Sequence, residues 1–182
     1  HAYHRRQRQM CIRDRTRTGG FGGAIAMREG CLFRMENTAL QNNHSQGKGG
    51  AIYIDNSLSA SSNRVELNNV EFSANSASFG SSAGGAIYGR NALKLSISDS
   101  NFDENLAALN GGAIFLYDIE HDAEITSTTF EKNRARGGAG GAVLISASQS
   151  SKAATLEVSS SKFHSNRAGG YGGAISSGNT CN

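Results

Sequence analysis

The chain has 182 residues, of which 23 are glycine, and it contains no proline and no tryptophan. Its formal net charge is +3, and no apolar run approaches the ~18 residues that a membrane-spanning helix requires. This composition argues against a membrane-spanning helix within the segment. Nucleic acid is not expected as a partner. After the Arg-rich first 15 residues, the sequence has no basic patch with interleaved aromatic residues.

Residues 1–15 differ in character from the rest of the chain. The stretch Arg5 to Asp14, RRQRQMCIRD, back-translates to a string that resembles the adaptor of transposase-based sequencing libraries. A targeting peptide is the competing interpretation, but the stretch has neither an apolar core nor an amphipathic run. We therefore predict that residues 1–15 are a translated adaptor artefact without regular structure and that residues 16–182 fold. Without residues 1–15, 13 basic and 14 acidic residues remain, a net charge of about −1.

From residue 22 onwards the chain repeats two short motifs in alternation. Gly-Gly-Ala-Ile/Val begins six times, at Gly22, Gly49, Gly84, Gly111, Gly140 and Gly172. Phe-x-x-Asn lies between later copies and starts at Phe72, Phe102, Phe130 and Phe163, while the first unit has LQNN from Leu40 in its place. Self-similarity at a spacing of 27 to 35 residues is the signature of a solenoid.

Each unit predicts three β-strands. Residues five and seven positions before each Phe are apolar, as in the pairs Val65 and Leu67 or Leu95 and Ile97, and a spacing of two is the strand period. Further strands are predicted at Gly-Gly-Ala-Ile and around the Phe. A helical repeat is the alternative, but paired glycines and β-branched residues disfavour helices. We predict an all-β parallel β-helix of about five to six coils, as a fragment of a longer repeat protein.

Stacked coils place equivalent side chains in columns about 4.8 Å apart. We expect one column of buried rings, formed by Phe72, Phe102, Phe130 and Phe163. A second column, at the following turn, consists of Asn75, Asn105, Asn133 and Asn166, which can hydrogen-bond to one another and to the backbone. The paired glycines relieve a corner that needs positive φ or close backbone approach.

The alternation of GGA[IV] with FxxN resembles the repeats of chlamydial polymorphic outer membrane proteins and similar surface proteins. The resemblance covers nearly all of residues 22–182. It implies a right-handed, pectin-lyase-like parallel β-helix, displayed at the cell surface, in the outer membrane or outside the cell, with an adhesive role. The implied partner is an unknown host-cell, glycan or protein ligand, and any membrane attachment lies in parts missing from this fragment.

A carbohydrate-active enzyme is the alternative function, because polysaccharide lyases and glycoside hydrolases also use this fold. The signatures expected of such hydrolases (NTD, DD, GHG and RIK) are missing from the sequence. The best acidic cluster is DIEHDAE, with Asp118, Glu120, Asp122 and Glu124, which we interpret as a solvated edge. The three histidines after residue 15, His44, His121 and His164, share no ligand spacing. We therefore predict no catalytic residue, no cofactor and no metal site.

Two cysteines, Cys31 and Cys181, remain after Cys11 is assigned to the adaptor. They occupy equivalent positions five coils apart, about 24 Å at 4.8 Å per coil, whereas a disulfide needs Cα atoms within about 7 Å. We predict that they do not pair with each other. Either could pair with a cysteine outside the fragment.

An aromatic row is the candidate interaction surface. Positions three and five after the first glycine of each unit are mostly apolar and point inward, so position four points outward. It holds Tyr53, Tyr88 and Phe115, followed by Leu144. An exposed aromatic stripe could bind glycan or protein. The alternative is that these side chains stack on one another or are covered by the longer loops.

Overall fold

The computed structural model describes residues 10–12, 20–28, 30, 32–56, 63–91, 93–147 and 154–178. These residues form β-strands, turns and bends only. Within these ranges there is no helix with the length and apolar character that a membrane crossing needs.

The strands belong to three sheets, and each coil contributes to all three. Sheet 1 contains nine strands: β1 (Met10–Ile12), β3 (Leu32–Gln41), β6 (Asn63–Ser73), β9 (Leu93–Ser98), β10 (Asn101–Asp103), β13 (Ala123–Thr126), β14 (Thr129–Glu131), β17 (Leu156–Ser159) and β18 (Lys162–His164). Sheet 2 contains the two-residue strands β4 (His44–Ser45), β7 (Ser76–Ala77), β11 (Leu106–Ala107), β15 (Arg134–Ala135) and β19 (Arg167–Ala168). Sheet 3 contains β2 (Ile25–Arg28), β5 (Ile52–Asp55), β8 (Ile87–Arg90), β12 (Ile114–Tyr117), β16 (Val143–Ser146) and β20 (Ile175–Gly178).

Neighbouring strands pair in parallel and join equivalent residues of successive coils. Phe102 lies between Phe72 and Phe130 in sheet 1, and Ile114 lies between Ile87 and Val143 in sheet 3. Sheet 3 runs β2-β5-β8-β12-β16-β20, which corresponds to about five turns of a solenoid. The prediction of an all-β parallel β-helix is therefore confirmed. The additional two-residue strand of each coil, in sheet 2, was not predicted.

The two glycines of each repeat have different functions. The first one has a positive φ, between 58° and 69° in all six copies, which disfavours any side chain. The second one lies against the next coil. A Cβ atom on Gly85 would lie 2.0 Å from the carbonyl oxygen of Gly112, and one on Gly50 would lie 1.9 Å from that of Gly85. The pair therefore meets both needs that the sequence suggested for this corner, one at each position.

Two further corners in each coil have left-handed backbone without glycine. One is the residue directly before the motif Asn: Asn42, Ala74, Glu104, Lys132 and Ser165, with φ between 51° and 56°. The other bends sheet 1 at Asn37, Asn69, Asp99, Ser127 and Ser160, with φ of 50° or 51°. Each such residue costs about 1–2 kcal/mol relative to ordinary backbone. The contacts that the corners make between coils must offset that cost.

The Phe side chains form a stack along the interior. Ring centroids of successive Phe residues from Phe72 to Phe163 lie 4.6 to 4.8 Å apart, with interplanar angles of 8° or less. Phe72, Phe102 and Phe130 are fully buried, and Leu40 continues the column in the first coil. Phe163 is half-buried, and it lies in the last coil that the structure describes.

The Asn side chains form a ladder at the turn after the Phe. In the central coil, the Asn105 amide nitrogen donates to Asn133 Oδ1 (2.9 Å) and to the carbonyl oxygen of Phe72 (2.9 Å). Its Oδ1 accepts from both the backbone N–H and the side-chain amide of Asn75. The same pattern runs from Asn43 to Asn166, and Asn75, Asn105 and Asn133 are fully buried. Every polar atom of these buried amides therefore has a partner.

A second polar column, of hydroxyl groups, was not predicted. Ser100 Oγ accepts from the Val70 N–H (3.1 Å) and donates to the Ser98 carbonyl oxygen (2.7 Å). Thr128 and Ser161 make equivalent bonds in the next coils. The sequence signal is present, since the residue two positions before each Phe is Ser or Thr in three of the four Phe-x-x-Asn units.

The N-terminal segment departs from expectation in one place. Met10–Ile12 form strand β1, which pairs in parallel with β3 through Met10↔Thr38 and Ile12↔Leu40. The prediction that residues 1–15 lack regular structure is wrong for these three residues. The edge of a sheet offers unpaired N–H and C=O groups to any extended segment, so this pairing does not test where the segment comes from. Cys31 and Cys181 lie outside the described residues.

We expect Phe102→Ala to lower the free energy of unfolding by about 3–5 kcal/mol, because it removes the central, fully buried ring and leaves a cavity. Denaturant unfolding followed by circular dichroism measures the loss. Glu120→Ala, at an exposed position, is the control and should be close to neutral. Equal losses in the two variants would contradict the assigned column.

We expect Gly85→Ala to lower the free energy of unfolding by about 3 kcal/mol, because its Cβ would overlap backbone atoms of Gly112 and Leu106, which cannot move aside. Gly80→Ala is the matched control. Its Cβ has no neighbour within 4 Å, so only the positive φ of 56° is penalised, by about 1 kcal/mol. Thermal unfolding of both variants tests the difference, and a Gly85→Ala as mild as Gly80→Ala would refute the close approach.

Candidate ligand-binding cleft

The outer aromatic row consists of Tyr53, Tyr88, Phe115 and Leu144 in consecutive strands of sheet 3. They pair as direct neighbours and point away from the solenoid interior, as the alternation predicted. They are nevertheless buried, with exposures of 5%, 1%, 8% and 6%. The expectation of an exposed stripe formed by Tyr53, Tyr88 and Phe115 is therefore wrong. These side chains form a second apolar cluster outside the sheet, with Ala83 as a further buried member.

The cover comes from residues that directly precede a Gly-Gly pair, as the contacts of Phe21, Lys48, Ala83 and Ala139 show. This covering row consists of Phe21, Lys48, Ala83, Asn110, Ala139 and Tyr171. Phe21 stacks on Tyr53 of the following coil, with ring centroids 4.7 Å apart, and the Lys48 ammonium lies over the Tyr88 ring, 4.6 Å from its centroid. The Tyr53 and Tyr88 rings also stack on each other, 5.4 Å apart. Self-stacking, one part of the alternative interpretation, describes this arrangement. The cover comes from Phe21 and Lys48 rather than mainly from the longer loops, of which loop 78–83 contributes Ala83.

Polar contacts fix the edge of the row. Tyr53 Oη donates to Asp55 (2.9 Å), and Asp55 also accepts from Asn91 (2.9 Å) and pairs with Arg90 (3.6 Å). Burial and then the Asp55 carboxylate raise the pKa of Tyr53 far above its usual value, so the phenol stays neutral. Lys48 donates to Tyr88 Oη (3.1 Å). The aromatic row is therefore a rigid platform.

A cleft of about 270 Å³ opens beside this platform. Its lining comprises Phe21, Gln46, Gly47, Lys48, Phe79, Gly80, Ser81 and Ser82. Phe79 is 73% exposed and Phe21 is 37% exposed, which is unusual for such large apolar side chains. The lining thus combines exposed aromatic rings, one cation and hydroxyl groups, the mixture that ligand sites commonly present.

A longer loop builds the far wall of the cleft. Between the sheet 2 strand and the next Gly-Gly pair, this loop has six residues (78–83), whereas the equivalent loops have three or four residues (46–48, 108–110, 136–139 and 169–171). Ser82 N–H donates to the Phe79 carbonyl oxygen (3.0 Å), which closes a turn, and Gly80 takes a φ of 56° within it. Sequence reasoning missed Phe79, although the extra length of this loop was a usable signal.

A polar cleft of about 280 Å³ lies over the outer face of sheet 1. Its wall includes Glu66, which forms ion pairs with Arg34 and Arg64. These guanidinium groups, Arg34 foremost, lower the pKa of the Glu66 carboxyl. Glu66 is therefore held as a carboxylate, whereas a general acid needs a raised pKa.

The acidic cluster and the histidines do not converge on a site. Glu120 and Asp122 are exposed, Glu124 begins the outward face of β13, and Asp122 accepts the Thr155 N–H (3.0 Å). His44 contacts Ser76 Oγ (2.8 Å) in the neighbouring coil. Among the described residues, no group of three or more His, Cys, Asp or Glu side chains is placed to hold a metal ion.

Comparison with known proteins adds the handedness and the family. A family model for the right-handed beta helix region matches residues 4–182. No curated protein and no solved structure matches the chain. The strand order and the parallel pairing are those of a β-helix, and the family model matches almost the whole length of the chain. The chain belongs to the right-handed β-helix family.

Proposed function

We propose that the chain is a non-enzymatic β-helix segment of a cell-surface or secreted protein and that it contributes to adhesion by binding a partner at the cleft beside the outer aromatic row. The observation that carries this proposal is the cleft itself, which is lined by the exposed rings of Phe79 and Phe21 together with Lys48. Exposed aromatic side chains on rigid supports supply contact area at low entropic cost.

The repeated motifs support a structural role for the remainder of the coil. The Phe rings are buried against one another, and the Asn amides use their donors and acceptors on neighbouring coils. The paired glycines are needed for backbone geometry. The side chains of these residues are engaged in packing and hydrogen bonds between coils and have no free group that could act on a substrate. We therefore assign binding to the loops.

Surface display is proposed from the resemblance of the repeats to chlamydial polymorphic outer membrane proteins. The solenoid suits that location physically. Each coil contacts only its neighbours, so adding coils lengthens the molecule without requiring a larger core, and loops on one side are carried outward at regular intervals. A ligand-binding loop can thereby be held at a distance from whatever anchors the chain.

A pectin-lyase-like carbohydrate-active enzyme remains the second candidate. Its best support is the polar cleft over sheet 1, where Glu36 and Glu66 lie near Arg34. A carboxyl with a raised pKa is found at Asp103, where burial is the main cause, but Asp103 does not line either cleft. An acid and a base that face one bond are what glycoside hydrolysis requires. The binding proposal needs no such pairing.

We expect Phe79→Ser to reduce binding to glycan arrays or cell surfaces about tenfold, since a central aromatic contact commonly contributes that much. Tyr171→Ser is the matched control, because Tyr171 is 84% exposed and lies in the covering row of the last coil, away from the cleft. Surface plasmon resonance or flow cytometry measures the change. Three outcomes would count against the proposal. Phe79→Ser could bind as well as the wild type, the wild type could fail to bind, or a polysaccharide incubated with the wild type could show new reducing ends.

A further inference from the structure

We infer that the cleft beside the outer aromatic row binds a saccharide that carries an acidic group and that Lys48 recognises the charge. This inference rests on the proposed function, because it names the ligand class of the same cleft. Three observations lead to it: an uncompensated cation, exposed aromatic rings around that cation, and a pocket of the size of a sugar.

Lys48 is a fixed positive charge without an acidic partner. Its ammonium donates to Tyr88 Oη (3.1 Å) and lies 4.6 Å from the centroid of the Tyr88 ring. No carboxylate within the described ranges forms an ion pair with it. Asp55, at the other edge of the platform, is already engaged by Tyr53, Arg90 and Asn91. An ammonium has three N–H donors, and the phenol oxygen takes only one, so Lys48 retains donors for an anionic ligand.

The aromatic side chains favour a sugar ring over an extended peptide. Phe21 stacks on Tyr53, is 37% exposed and lines the cleft together with Phe79. The C–H faces of a pyranose pack on such rings, and its hydroxyl groups need hydrogen-bond partners. Ser81 is exposed in the wall, and the Ser82 hydroxyl, in a residue 4% exposed, has no partner among the described residues.

The volume and backbone of the cleft agree with a small ligand. About 270 Å³ is near the lower end of ligand pockets, which suits one or two sugar rings. Gly47 lines the cleft, and a Cβ atom there would lie 2.7 Å from the Gly20 carbonyl oxygen and 2.8 Å from Phe21 Cδ1, so a side chain would displace that ring. Gly80 allows the left-handed turn that holds Phe79 at the rim. The site is thus formed before the ligand arrives, which lowers the entropic cost of binding.

Three probes that differ only at C6 test the inference: methyl β-glucuronide, methyl β-glucoside 6-sulfate and methyl β-glucoside. Titrations of the full chain, followed by NMR chemical shifts, give the dissociation constants. We expect the two anionic sugars to bind about fivefold more tightly than the neutral one, as for one partly exposed ion pair. The difference between carboxylate and sulfate identifies which acid the site prefers. High salt should remove the preference, because screening weakens the ion pair.

The variants separate charge from shape. Lys48→Met should bind all three sugars equally, Lys48→Arg should keep the preference, and Lys94→Met, at an exposed position on β9, should behave as the wild type. Equal affinities in the wild type, or a preference that survives in Lys48→Met or in high salt, would overturn the inference. The salt titration needs no variant, so a folding defect in Lys48→Met cannot mask the result.

The two proposals can fail separately. If none of the three sugars binds, but Phe79→Ser still abolishes binding to arrays or cells, the acidic-saccharide inference is wrong and the adhesive role stands. If Phe79→Ser has no effect in those assays, the proposed function itself is wrong, and the inference that depends on it fails as well.

Discussion

The hydrogen bond between successive asparagine side chains is the contact on which the rest of the coil geometry depends. Asn105 binds Asn133 through its amide nitrogen and Asn75 through its oxygen, so each coil is tied to the coil on either side at one point. The second bond of each amide nitrogen, to the carbonyl oxygen of the Phe-position residue one coil earlier, ties this point to the ring column. Aspartate could not replace Asn here, because buried like charges at one coil spacing would repel one another. The ladder also explains why Ala74, Glu104 and Lys132 adopt left-handed backbone although none of them is glycine. The Asn that follows each of them fixes the turn, whichever residue precedes it.

The Asn turn and the Gly-Gly corner fix the backbone of each coil at two points. Equivalent outward-facing residues of successive coils are therefore aligned as well. Each residue of the covering row directly precedes a glycine of positive φ, and the side chains of Phe21 and Lys48 project over the outer aromatic row of the next coil. At two of the six positions the covering residue is an alanine that completes a hydrophobic cluster, namely Ala83 and Ala139. Lys48 and Phe21 occupy the same row and do the same packing, but they leave a charge and part of a ring exposed to the cleft. The same position thus covers the outer aromatic row in every such coil and, in the proposed site, also offers binding groups.

The interior columns of Phe and Asn could be predicted from the sequence. The cover over the outer aromatic row and the residues of the cleft could not. Phe72 and Phe102, or Asn75 and Asn105, are recognisable because a solenoid repeats a residue wherever it repeats an environment. The hydroxyl column of Ser100 and Thr128 carried the same signal and was overlooked, since Ser also fills the loops of this chain. Burial of Tyr53 and Tyr88 depends on residues about a coil earlier in sequence, so alternation along one strand shows the direction of a side chain but not what covers it. Phe79 lies outside the repeat and has no periodic signal.

This difference explains why function is expected in the loops. A coil that must keep a ring, an amide and two glycines in register with its neighbours cannot change them without affecting the coils above and below. The loop between sheet 2 and the Gly-Gly corner is less constrained: its last residue belongs to the covering row, but its length varies from three to six residues between coils. The longest of these loops is the one that contributes Phe79, Ser81 and Ser82 to the cleft. Three extra residues at an exposed corner thus create a concave, partly aromatic surface, while the strands on either side keep their parallel pairing. Binding properties of such a solenoid can therefore change one loop at a time without loss of the fold.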